Sequence, residues 1–168
     1  LRDPAQPIGL ELSEADRHYA AIATCLQLRP EAYDEAVARY ARAGYEHEEW
    51  GGLHQLHSYG LTVTLSPAVG FCDVASSYFG MQATEALVDE LFAELNGAFP
   101  QETRGWTVTA RDGGCFRAEL PGAEIVVNSG GQDPVCPQTA GGRPHYPPGD
   151  LRPAPEDGPH SAFRIMWE

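Results

Sequence analysis

Leu87, Leu91, Leu95 and Phe99 recur every four residues, with Val88 and Phe92 beside them, while Glu85, Asp89, Glu90, Glu94 and Asn96 fall on other faces. This period predicts an amphipathic helix from about Gln82 to Asn96, laid by one apolar stripe on a sheet and stopped by Asn96-Gly97 and Pro100. On either side the pattern changes to alternation. Leu61, Val63 and Leu65 alternate with Thr62 and Thr64, and after Ser66-Pro67 the chain returns as a second strand from Val69 to Ser76. Downstream, Trp106, Val108 and Ala110 alternate with Thr107 and Thr109, and Asp112-Gly113-Gly114 turns the chain. Phe116, Ala118 and Leu120 come back, Pro121-Gly122 turns again, and Ala123, Ile125 and Val127 line a third strand. Glycine supplies the positive φ such turns need, so this stretch predicts an antiparallel meander.

Two helices precede the sheet. Ser13 followed by Glu14 and Asp16 has the form of an N-cap with acids in the first turn, and Tyr19, Ile22, Ala23 and Leu26 then mark one side as far as Leu28. Pro30 suits the first position of a second helix, with Glu31, Asp34 and Glu35 near its N-terminus. Arg39 and Arg42 suit its C-terminus, and Gly44 its end. Tyr33, Ala36, Val37 and Tyr40 form its apolar stripe. Between Tyr45 and Tyr59 the pattern is less regular, and part of that stretch is expected to be a strand or a turn into one.

After Asn128 the texture changes again. Eight of the fourteen prolines lie between Ser129 and His160, among glycines and with almost no large apolar residues. Such a segment cannot bury enough surface to offset its own ordering entropy, so it is read as an arm. Phe163, Ile165 and Trp167 alternate once more, which predicts a C-terminal strand added at an edge, either of this sheet or of a partner's. The expected class is therefore α+β: an N-terminal helical pair and an antiparallel sheet packed on one amphipathic helix. The expected divisions are a compact domain over 1–128, a Pro/Gly-rich arm over 129–160 and an edge strand over 161–168.

Length and charge narrow the function. A chain of 168 residues is large enough to bury roughly 70% of its unfolded surface in one core. No apolar run reaches the ~18 residues of a membrane helix, so membrane insertion is not expected. Acidic residues outnumber basic ones 24 to 11, for a net charge of −13. That field repels phosphate backbones and favours a basic protein partner over nucleic acid. All eleven basic residues are Arg, which with abundant Ala, Gly and Pro predicts a bacterial source with a GC-rich genome.

Four cysteines (Cys25, Cys72, Cys115 and Cys136) and a chain that begins at Leu1 predict a mature exported or periplasmic protein with two disulfides. The favoured pairing of the three available joins Cys115 to Cys136, pinning the arm, and Cys25 to Cys72, tying the first helix to the sheet. Without Cys-x-x-Cys, neither a thioredoxin-type redox site nor a zinc ribbon is expected. His47, His54 and His57 lie within eleven residues, beside Glu46, Glu48 and Glu49. His54-x-x-His57 would share a face on a helix and bind a metal there, but would diverge on a strand. The zincin pattern is missing and Gly51-Gly52 argues against a helix, so no metal ligands are assigned.

No Gly-x-Ser-x-Gly surrounds Ser76-Ser77, and no glycine pair opens a helix as a phosphate cradle, so neither catalytic residues nor a cofactor are assigned. Tyr146, set among prolines, and the apolar chain end with Phe163 and Trp167 are the expected partner contacts. The leading expectation is a small, acidic, non-enzymatic interaction module, an exported accessory subunit or inhibitor. In composition and layout the chain also resembles cytosolic immunity proteins that neutralise basic toxins, which is one alternative. A metal-binding protein or enzyme using His47, His54 and His57 is the other.

Overall fold

The computed structural model describes residues 9–77, 86–87, 90, 107–112, 115–120, 122–128 and 161–168. Helix α1 spans Glu14–Gln27 and α2 spans Tyr33–Arg42, joined through a single 3-10 turn at Pro30–Ala32. The strands are β1 Glu46–Trp50, β2 Leu53–Ser58, β3 Leu61–Ser66, β4 Phe71–Ser76, β5 Thr107–Asp112, β6 Cys115–Leu120, β7 Ala123–Asn128 and β8 Ser161–Trp167. They form one antiparallel sheet in the order β1-β2-β3-β4-β8-β7-β6-β5, so the class is α+β as expected.

The helices follow from their caps and stripes. Ser13 is the N-cap of α1, its hydroxyl accepting from the Asp16 amide at 3.2 Å. Tyr33, Ala36, Val37 and Tyr40 are all buried, and α2 lies on β1, β2 and β3, while α1 lies on β3, β4 and β8. The burial of α1 is wider than the one stripe predicted, because Ala20, Ala21, Thr24 and Cys25 are covered as well. The structure joins Cys25 on α1 to Cys72 on β4 in a disulfide, the pairing expected from the sequence. Cys136 and the side chain of Cys115 lie outside the described residues, as do the arm and most of the Gln82–Asn96 helix. The backbone at Ala86, Leu87 and Glu90 is helical, and half-buried Leu87 packs on the core.

The sheet consists of two meanders, β1 to β4 and β5 to β7, and the C-terminal strand joins them. The expectation of an edge strand is corrected here: β8 hydrogen-bonds to β4 on one side and β7 on the other. Phe163 stands opposite Val74 and Val127, and Ile165 stands opposite Cys72 and Ile125. The chain order does not reveal such a position, because strand neighbours far apart in sequence are set by packing alone. On the opposite face Arg164 grips Asp73 of β4 through two parallel bonds of 2.7 and 2.8 Å, and its guanidinium lies 4.1 Å over the Phe71 ring. This fork both satisfies a half-buried charge and locks the β4–β8 register. Gly70 brings the β3–β4 turn against β8. Its φ is +94°, its carbonyl accepts the Trp167 amide at 2.8 Å, and a Cβ there would sit 3.1 Å from the Trp167 carbonyl oxygen. In the second meander, a bulge between Val108 and Ala110 interrupts the alternation predicted for β5.

Helix α1 also buries two groups the hydrophobic pattern did not mark. Arg17 donates to the Leu10 carbonyl at 3.2 Å and to the Tyr59 carbonyl at 3.3 Å, tying the lead-in to the β2–β3 turn. His18 is buried, and burial pushes its pKa down from the ordinary 6.5 to about 4. The unfolded chain therefore binds this proton first, and stability falls as pH drops from about 6.5 towards about 4, levelling off below. At 1.36 kcal/mol per unit the loss is about 3 kcal/mol. Urea titrations of His18→Gln and wild type at pH 7 and pH 4.5 check this: their stability difference should shrink in acid. Parallel behaviour of the two proteins would show that other groups set the acid response.

Candidate functional site

The β1–β2 hairpin decides where the histidines meet. Gly51 and Gly52 both have positive φ (55° and 85°), as a two-residue type I′ turn requires at its central positions. The turn closes on Trp50 opposite Leu53, which sets Glu49 opposite His54 and His47 opposite Leu56. Leu56 is fully buried. Alternation then places His54, and with it His47 and Glu49, on the helix-facing side of the sheet at its β1 rim.

There the side chains converge. His47 Nε2 lies 3.0 Å from His54 Nδ1, with the rings 5.2 Å apart and 28° from parallel. Glu49 Oε2 is 4.0 Å from the same His54 nitrogen. Asp34 Oδ1, at the start of α2, is 3.8 Å from the other one, Nε2. One donor atom each from His47, Glu49 and His54 fits within 4.8 Å of the others. The hairpin and the start of α2 thus gather two imidazoles and two carboxylates, a set able to share protons or hold a borderline cation.

His57 belongs elsewhere. On a strand it points to the face opposite His54, where its Nδ1 is 3.1 Å from Thr62 Oγ1 and its Nε2 is 3.7 Å from Glu48 Oε2. The shared-face arrangement of His54 and His57 is therefore excluded, as strand geometry required, and the pair that forms is His47 with His54. In the sequence Asp34 stands only as a charge complementing the helix dipole. Glu49 was one of three neighbouring acids. The signal for Glu49 is the glycine pair: a two-residue loop at 51–52 fixes the pairing of every residue from Glu46 to His57, whereas no local pattern marks Asp34.

A second surface lies beside this cluster. All five residues of β1 are exposed, and Trp50 is 58% exposed. Tyr59, at the tip of the next turn, is 76% exposed. The residues expected to contact a partner are placed differently. Phe163 is 0% and Trp167 5% exposed, so both are core side chains of an interior strand, and Arg29 lies 4.3 Å over the Trp167 ring. Tyr146 lies outside the described residues. Tyr33, Tyr40 and Tyr45 are raised above the ordinary phenol pKa chiefly by burial, which keeps them protonated at neutral pH. Among the described residues no helix is long and apolar enough to cross a membrane.

No protein family, curated protein or solved structure matches this chain. The chemistry of the hairpin is what remains to suggest a role.

Proposed function

We propose that this is a non-enzymatic, acidic protein-binding module that works in an oxidising compartment and receives a basic extended segment of another protein along β1. The carrying observation is the edge itself: β1 is exposed throughout, pairs among the described residues on one side only, and presents Glu46, Glu48, Glu49 and Trp50 in five residues. An edge strand offers unpaired backbone groups to an incoming strand. Its acids select for Lys and Arg in that strand, and Trp50 offers a flat anchor of the kind that dominates interface energetics. The Cys25–Cys72 disulfide supports export over the cytosolic inhibitor reading, because such bonds persist where thiols are not kept reduced.

Photo-crosslinking from position 50 in the source cell, followed by affinity measurement on the purified pair, tests this. A basic partner should be captured, and the Glu46→Lys/Glu48→Lys double variant should weaken it by about tenfold or more with a smaller salt dependence. Binding that survives the charge reversal unchanged would move the interface away from β1.

A further inference from the structure

The geometry points to a zinc-class divalent cation site formed by His47 Nε2, His54 Nδ1 and Glu49 Oε2, with Asp34 as the carboxylate that orients His54 from behind. This goes beyond partner binding and does not depend on it. The first support is spacing. Zinc bonds of about 2.0–2.1 Å at a tetrahedral angle place two ligand nitrogens about 3.3 Å apart. His47 Nε2 and His54 Nδ1 are already 3.0 Å apart, so the rings need to part by only a few tenths of an ångström. Exposed His47 is free to make that adjustment, whereas His54 is held, with a side chain only 13% exposed.

The second support is proton placement. With both rings neutral, one of the two facing nitrogens donates to the other. A cation takes both lone pairs once each ring carries its single proton on the far nitrogen. For His54 the far nitrogen is Nε2, and the atom beyond it is Asp34 Oδ1 at 3.8 Å. A carboxylate behind a ligating imidazole fixes its tautomer and raises its basicity, the usual second partner of a metal-bound histidine. Glu49 supplies an anionic oxygen directly across the strand pair, 4.0 Å from His54 Nδ1. Two imidazoles and one carboxylate leave a fourth position open on the exposed side, as in sites that bind water or a partner's side chain. The elements that converge are the β1–β2 hairpin with its two-residue turn and the first turn of α2.

The test uses full-length protein without a histidine tag, titrated with Zn²⁺ against a chromophoric chelator, and with Co²⁺ read by visible absorption. One equivalent of Zn²⁺ should bind, and Co²⁺ should give the intense band of a four-coordinate site. His47→Ala and His54→Ala should each abolish the band, and Asp34→Asn should weaken binding by about tenfold while leaving the band in place. His57→Ala, on the opposite face, should change neither. Melting curves of the metal-free variants confirm that they are folded, and His47, being exposed, is the variant least able to disturb the core. Absence of saturable binding in the micromolar range would overturn the site. So would binding that survives His47→Ala, or that falls equally in His57→Ala.

Discussion

Phe163→Ala is expected to lower the stability of this protein by about 3–5 kcal/mol, a large part of what a domain of this size has to lose. The reason is the place of β8. Phe163 is completely buried and stands in register with Val74 on one neighbour and Val127 on the other. Truncating it removes the transfer free energy of a phenyl ring and leaves a cavity where the two meanders meet. Among the described residues those meanders pair with each other only through β8, so the surrounding strands have little freedom to collapse into the gap. Urea denaturation should show the midpoint moving down with an unchanged slope, provided the unfolding remains two-state. Met166→Ala is the matching control, since Met166 lies on the same strand, faces the other way and is 36% exposed. It should cost well under half as much. Equal costs for the two variants would mean that β8 is not the joint on which the core depends.

That joint shows where a sequence pattern stops being informative. The period of Tyr33, Ala36, Val37 and Tyr40, the cap at Ser13 and the alternation of Leu61, Val63 and Leu65 are local, and each is found as the pattern implies. Sheet order is not local. Phe163, Ile165 and Trp167 announce a strand, but only pairing with residues ~40 and ~90 positions away places it in the interior. On the opposite face only Ala162 is buried, while Arg164 is half-buried and Met166 exposed, so that face carries no apolar run that would mark an interior strand in the sequence. The β1–β2 hairpin was obscured for the opposite reason. An exposed edge strand needs no apolar alternation, so Glu46-His47-Glu48-Glu49 carries no period, and Gly51-Gly52 was its one local mark. The histidine cluster inherits that difficulty: His47 and His54 are seven residues apart and meet only when the turn type is known.

Replacing Cys25 and Cys72 together by Ala is expected to cost about 4 kcal/mol, which for a chain of this length lowers the melting temperature by roughly 10 °C. The bridge spans a sequence separation of 47, joining the last turn of α1 to the second residue of β4. In the chain-entropy account its contribution comes from the unfolded chain, which without it regains the freedom of a loop of that length. Within the folded protein the two sulfurs lie in the core between helix and sheet, at 0% and 1% exposure. One consequence separates this bridge from a surface staple. Reductant should act slowly on the native protein, because a thiolate reaches a buried sulfur only after the structure opens, and fast once urea unfolds it. The double variant should also unfold at lower urea with a steeper slope, since an uncrosslinked chain exposes more surface. Alkylation and intact mass of samples quenched during reduction, beside urea curves of both proteins, check each point. Rapid reduction without unfolding would place the bridge in a locally opening α1. A loss below about 1 kcal/mol would show that the unfolded chain already holds α1 near β4, so that the crosslink removes little freedom.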